Sequence, residues 1–372
     1  MRITDKQISR REALAGAGAL ALASDTLPAS AAPDQGLRDI AKARGLLYGC
    51  AVNAGEATFA DARLMSAISR ECSILVPENQ LKWGSLERVR GKLNFAEADR
   101  LASFGVANDA KLRGHTLIWH QQVPNWVEAA LSEGKFEDVV KKHVREVVGH
   151  YKGRVHSWDV VNEAIDPSAG RPDGLRQTPF LRALGPQYLD IAFQAAHESD
   201  PDALLVYNEF GLEQTVPNAD RKRAAVLRML AGMKARGVPV QALGIQAHLR
   251  IGRPFNEKGF AGFIGDVAEM GLKILVTELD VNDQDYQSGD IAARDKACAD
   301  LVGTFLNVIL SRNDCVAVLT WGLADMTSWL NRPNTERRKD GLAKRPLPLD
   351  DQLNRKPMWQ AMAKAFDAAP KR

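Results

Sequence analysis

One pattern limits the fold more than any other. From about residue 32 onward, a short apolar run followed by an amphipathic stretch recurs eight times. The apolar runs read as strands over residues 46–52, 73–77, 111–119, 155–161, 203–207, 241–247, 273–277 and 316–321. The stretches between them read as helices near 61–70, 96–108, 136–151, 186–199, 219–236, 257–270 and 291–310, with a last helix after Lys356-Pro357. The third of these carries Phe136, Val139, Val140, Val144, Val147 and Val148, a stripe close to the 3.6-residue period of a helix with one buried face. Gly153, Gly237 and Gly271 stand where helix C-caps belong. Eight such units in a row fit an α/β fold of the (β/α)8 TIM-barrel type, a single catalytic domain over residues 32–372. A doubly wound sheet also alternates, but its first turn is a glycine-rich phosphate cradle. Here that turn is Asn53-Ala54-Gly55-Glu56.

Residues 1–31 read differently. Ser9-Arg10-Arg11-Glu12 precedes an apolar run over 13–23 and then Ala29-Ser30-Ala31. A basic segment, a short apolar core and a small-residue cleavage site are the order of an export signal. The paired arginines and weak hydrophobicity resemble the twin-arginine type. An 11-residue helix spans roughly 16 Å, too short for an anchor. The expectation is a periplasmic or secreted monomer with no membrane anchor. A net charge of +3 gives no reason to expect nucleic acid. Four cysteines are too few for a disulfide framework, and their spacing is not that of a metal site. Cys298 and Cys315, set apart by a helix, are expected unbonded. Cys50 and Cys72 could approach on adjacent strands but are expected to stay thiols.

In a barrel of this type, active sites collect at the C-terminal ends of the strands. Those ends are chemically dense here. They carry Glu78, Asn79 and Lys82 after the second strand, and His115, Trp119 and His120 at the third. Asn162 and Glu163 follow the fourth, Tyr207, Asn208 and Glu209 the fifth, and Gln246 and His248 the sixth. Glu278 and Asp280 follow the seventh, and Trp321 and Gly322 the eighth. Amides and charges bind hydroxyls, and indoles stack on apolar ring faces. Trp83, Trp119, Trp126, Trp321 and Trp329 are the candidates for stacking, whereas Trp158 reads as core. Glu163 and Glu278, 115 positions apart, each end a largely apolar strand. A pair of carboxylates so placed is what glycosidic bond hydrolysis requires.

The motifs identify a relative. Glu78-Asn79-x-x-Lys82-Trp83, Gly114-His115-Thr116-Leu117-x-Trp119-His120-x-Gln122-x-Pro124-x-Trp126, Trp158-Asp159-Val160-Val161-Asn162-Glu163-Ala164, Gly244-x-Gln246-x-His248 and Thr277-Glu278-Leu279-Asp280 together resemble glycoside hydrolase family 10, the endo-β-1,4-xylanases. The likeness continues through Trp321-Gly322, Ser328-Trp329 and Lys356-Pro357. It implies a retaining hydrolase of xylan and xylooligosaccharides that needs no cofactor or metal, with Glu163 as acid/base and Glu278 as nucleophile. It also implies that Glu78, Asn79 and Lys82 bind the second glycone sugar. His115, Trp119, Asn162, Gln246 and His248 would surround the sugar at the cleavage point, capped by Trp321 and Trp329. Tyr207 would lie on the leaving-group side. Asp280 would orient His248 toward Glu278, and His120 would stand behind the site.

Other readings remain open at this stage. Asn208-Glu209 repeats the Asn-Glu pair, so spacing alone makes Glu209 a rival acid. Glu209-Phe210-Gly211 also departs from the family's Asp-Tyr-Asn. A metal hydrolase using His115, His120, His248 and Asp280 is disfavoured, because positions five apart on a regular strand face opposite sides. A β-1,4-glucanase and a non-catalytic sugar-binding barrel are further alternatives; retention of both glutamates speaks against the latter. Residues 330–345 hold Arg332, Arg337, Arg338, Lys339, Lys344 and Arg345 against Glu336 and Asp340. Such a loop could attract acid-decorated xylan, or merely be solvated.

Overall fold

The computed structural model describes residues 35–372. The export-signal reading of residues 1–31 lies outside them. Ten strands occur among the described residues: β1 (Leu47–Val52), β2 (Ile74–Pro77), β3 (Lys111–Gly114), β4 (Ile118–Trp119), β5 (Val155–Asn162), β6 (Leu204–Glu209), β7 (Ala242–Ile245), β8 (His248–Arg250), β9 (Lys273–Asn282) and β10 (Cys315–Thr320). The parallel order β10-β1-β2-β3-β5-β6-β7-β9 returns to β10 through a β9–β10 pairing, which closes an eight-stranded barrel. Helices lie between the strands, so the expected (β/α)8 architecture is the one found.

Side-chain pattern explains the closure. Inward positions of the strands supply Ile74, Val76, Val206, Leu275 and Leu319, which form a packed interior under Trp321. The helix Phe136–His150 buries the apolar stripe read from the sequence, with His143 added. Gly153, Gly237 and Gly271 have φ of 72°, 73° and 74°, the left-handed geometry that ends a helix. Trp158 is fully buried and packs where Gly114 has no side chain. A Cβ on Gly114 would lie 2.1 Å from that indole.

Three strands differ from expectation, one of them because residues 273–277 continue to Asn282, so that Glu278 lies within β9. Residues 111–119 form two short strands, because after Gly114 the chain leaves the sheet. Leu117 N–H and Thr116 Oγ1 instead donate to Asp159 O at 3.0 and 2.9 Å. Residues 241–247 likewise end early at Ile245, and Ala247 adopts φ 63° before β8 pairs with the extended end of β9. A further helix, Leu37–Lys42, is too short to show a period. It is held from outside its own sequence, by Glu71 Oε2 accepting Leu37 N–H at 2.9 Å. All four cysteines are buried thiols, and the Sγ atoms of Cys50 and Cys72 touch at 3.6 Å without bonding.

Candidate active site

Parallel register aligns one row of the barrel rim. Trp119 on β4 faces Asn162 on β5, Asn162 faces Asn208 on β6, and Asn208 faces Gly244 on β7. Gly244 makes room for the Asn208 amide; a Cβ there would lie 2.3 Å from Asn208 Oδ1. Asn208 Nδ2 donates to Asn162 Oδ1 at 3.0 Å and to Glu278 Oε1 at 2.9 Å, and its Oδ1 accepts from Thr277 Oγ1 at 2.7 Å. The sequence reading counted this buried amide on the rim but gave it no role. Its signal was the second Asn-Glu pair, one strand over at the same level, facing a glycine.

Glu163 leaves β5 with φ 57°. Its N–H donates to Asn208 O at 2.9 Å, which fixes the step. Its carboxylate accepts from Trp119 Nε1 at 2.9 Å, Gln246 Nε2 at 3.0 Å and Asn162 Nδ2 at 3.3 Å. Glu278, on β9, accepts from Asn208 and from His248 Nε2 at 3.2 Å. The two carboxylates are therefore tied to one set of amides, Asn162, Asn208 and Gln246, each reached from its own strand. Burial alone would raise the Glu278 pKa. The His248 hydrogen bond and the positive fields of His115, His248 and Lys82 outweigh it and bring the value from 4.5 to about 2. Glu278 is thus ionised, as a nucleophile must be.

His248 stands between two acids. Its Nδ1 donates to Asp280 Oδ1 at 2.9 Å while Nε2 donates to Glu278. Burial disfavours the imidazolium, yet Asp280 and Glu278 together raise its pKa well above 6.5. Asp280 Oδ2 also accepts Trp329 Nε1 at 2.7 Å, so one carboxylate fixes both the imidazole and the indole above it. Lys82 Nζ donates to Asn79 Oδ1 at 3.1 Å and lies 5.0 and 5.8 Å from the rings of Trp119 and Trp321. Burial lowers its pKa, opposed by Glu278, Glu78 and Glu163. Glu78 is gripped through both oxygens by Arg332, at 2.6 and 2.7 Å. His115 is buried against Asp159 Oδ2 at 2.9 Å, its ring edge-on to Trp321 at 5.3 Å. His120 Nδ1 has no hydrogen-bond partner among the described residues and sits 4.0 Å from Glu163 Oε2. Burial and Arg176 lower its pKa to about 4, so it is neutral.

The structure corrects or narrows four readings of the sequence. Tyr207 is fully buried and cannot touch a ligand. Its hydroxyl accepts Ala164 N–H at 3.1 Å and donates to Glu209, supporting the backbone just after Glu163. Glu209 is equally buried, paired with Lys222 Nζ at 2.8 Å, which excludes it as the rival acid. Breaking a buried pair of this kind costs about 3–5 kcal/mol, so its role is structural. Trp83 is core, stacked on His143 at 3.8 Å, and Trp126 packs edge-on against Trp83, so neither joins the indoles of the cleft. The basic loop is largely neutralised internally. Arg338 and Lys344 are buried, Arg345 pairs with Asp295 at 2.7 Å, and Arg332 is spent on Glu78.

A model of glycosyl hydrolase family 10 matches residues 36–365. This chain belongs to that family. Endo-1,4-beta-xylanase 5 of Pyricularia oryzae is 34% identical over 301 residues, 80% of this chain and 71% of that protein. Endo-1,4-beta-xylanase B of Thermotoga neapolitana is 32% identical over 299 residues, covering 80% and 83%. The crystal structure of xylanase 10B from Thermotoga petrophila in complex with xylobiose superposes with a TM-score of 0.81 at 31% identity, covering 91% of this chain and 99% of that one. As a family 10 member the chain is a glycoside hydrolase.

Proposed function

We propose that this hydrolase cleaves internal β-1,4-xylosidic bonds of xylan with retention of configuration, using Glu163 as acid/base and Glu278 as nucleophile. The observation that carries the assignment is electrostatic. Of Glu163 and Glu278, Glu278 is the one that accepts His248 Nε2, and that hydrogen bond with the fields of His115, His248 and Lys82 holds its pKa low. Glu163 lies across the amide cluster, with the Trp119 indole on one oxygen. In the first step Glu278 attacks the anomeric carbon while Glu163 gives its proton to the departing oxygen. In the second, Glu163 takes a proton from water, which attacks the same carbon and releases Glu278. Asn162, held by Asn208 at 3.0 Å, is placed to bind the sugar 2-hydroxyl, a contact that strengthens as positive charge develops on the ring.

The two sides of the cleft follow from the same frame. Glu78, Asn79 and Lys82 take the glycone side. The leaving-group side falls to Phe210 instead of Tyr207. Its ring is 38% exposed and is backed by Lys222 Nζ at 3.4 Å from the centroid. Arg176, 5.9 Å from the same ring, donates to Glu163 O at 2.9 Å, which places Phe210 next to the acid/base. Polymeric xylan does not cross membranes, so the signal-like start at Arg10-Arg11 suits an enzyme that meets its substrate outside the cytoplasm.

Proton NMR of unbranched xylohexaose during hydrolysis tests the reading. The first new anomeric signals are expected to be β, with internal bonds cut first. Initial α signals would exclude the double displacement, and release of single xylose units only would exclude internal cleavage.

A further inference from the structure

Beyond Asn79, away from the carboxylates, the surface opens into a cavity of about 520 Å³. Asn79 is common to both: its amide holds Lys82 on the cleft side and lines the cavity on the other. The floor is polar, with Gln80 and Ser85 over the buried Leu86. The outer wall is a tight turn, residues 88–92, closed by a bridge between Val89 and Lys92.

That turn is fixed, and its charges are sorted. Gly91 takes φ 77° and donates its N–H to Glu87 Oε1 at 2.7 Å. Glu87 is itself buried and accepts Trp83 Nε1 at 3.0 Å, so the turn is anchored to the core. Three cations lie on it. Arg90 is committed elsewhere, bidentate to Glu133 at 2.8 and 3.0 Å and turned over Trp126. Arg88 and Lys92 line the cavity, are exposed, and have no side-chain partner among the described residues. Glu97 is the acid among the lining residues. Val89, 56% exposed between the two free cations, adds an apolar spot against which a pyranose face can rest.

We propose that this cavity is a distal glycone subsite that takes a uronic acid carried by the xylan chain, with Arg88 and Lys92 reading its carboxylate. The inference rests on the xylan reading above, because it places the glycone end of the chain at Asn79. It moves the recognition of acidic decoration from the 330–345 loop, whose cations are mostly spent within the fold, to a turn on which Arg88 and Lys92 have no side-chain partner among the described residues. Two charges at a solvated rim act through a short screening length, about 8 Å at physiological salt. The effect is therefore modest and salt-sensitive.

The test compares Arg88→Gln/Lys92→Gln with the native chain on two substrates of equal backbone length. One is an unbranched xylooligosaccharide and the other carries a single glucuronic acid. At low ionic strength the double variant is expected to lose roughly three- to tenfold in kcat/KM on the acidic substrate and to match the native chain on the neutral one. At about 0.5 M salt the difference should vanish. Arg337→Gln/Lys339→Gln removes the same charge from another part of the surface and should leave both rates alone. An equal loss on both substrates, no loss on either, or the same loss in the control pair would overturn the assignment. If the native chain failed on the unbranched substrate, the xylan reading would fall first, and the two failures are distinguishable.

Discussion

Glu278→Ala is expected to lower turnover of an aryl β-xylobioside by on the order of 10⁵-fold, and sodium azide to restore part of it as an α-xylobiosyl azide. Without the carboxylate no glycosyl-enzyme ester can form. The small anion then enters the vacated space and attacks the anomeric carbon from the nucleophile's face. The aryloxide departs from the opposite face, so the configuration inverts once. The variant leaves Asn208 Nδ2 and His248 Nε2 without their acceptor, a penalty of about 1–3 kcal/mol each if water does not fill the space. Circular dichroism should nonetheless report a folded barrel, because Asn208 Nδ2 still donates to Asn162 Oδ1 and the His248 ring stays held through Nδ1 on Asp280. A β-configured azide product would remove Glu278 from this role.

Glu163→Ala should show a different signature, set by the leaving group. With xylan or a methyl glycoside, where the departing oxygen needs a proton, kcat is expected to fall roughly 10²–10⁴-fold. With a dinitrophenyl leaving group, bond cleavage should proceed nearly unaided and breakdown of the glycosyl-enzyme should become limiting. The pH profile separates the two glutamates further. Glu278, depressed to about 2, loses its negative charge only as pH falls through that value, so it puts no limb at ordinary working pH. The alkaline limb of kcat/KM belongs to the proton donor. In Glu163→Ala that limb should disappear, leaving the rate on the dinitrophenyl substrate flat from about pH 4 to about pH 9. A surviving alkaline limb would assign the donor to another residue.

The barrel was legible because each strand is a short buried run and each helix carries one apolar stripe, and these periods survive tertiary packing. Glu163 stands just past β5 as read, whereas Glu278 lies within β9, which runs on to Asn282. The breaks after Gly114 and Ile245 were not legible, because they are stabilised by partners far away in the chain. Asp159 O receives Leu117 and Thr116, and Glu213 Oε1 receives Ala247 N–H at 2.7 Å. Tyr207 and Asn208 show the same limit on a finer scale. They are consecutive and equally buried, yet alternation turns one toward Glu209 and the backbone of Ala164, the other toward Glu278. A motif names the position, whereas the register between strands decides which neighbour faces the carboxylates. The charge of the 330–345 loop left two readings open for a related reason: net charge counts cations, but only the fold shows which of them are already paired.

The left-handed backbone at Glu163 has a consequence for how such a chain can be altered. An L-residue with a side chain at φ 57° sits roughly 1–2 kcal/mol above its relaxed geometry, a strain that glycine does not feel and asparagine feels least. The conformation aims the carboxylate across the cleft, so the proton donor is presented by a posture the polypeptide would rather abandon. Stability and activity therefore pull in opposite directions at this one codon. Where water replaces the Glu163 carboxylate as acceptor for Trp119, Gln246 and Asn162, a library screened only for resistance to heat would drift toward glycine or asparagine at 163, yielding barrels that survive better and cut nothing, unless turnover is selected alongside folding.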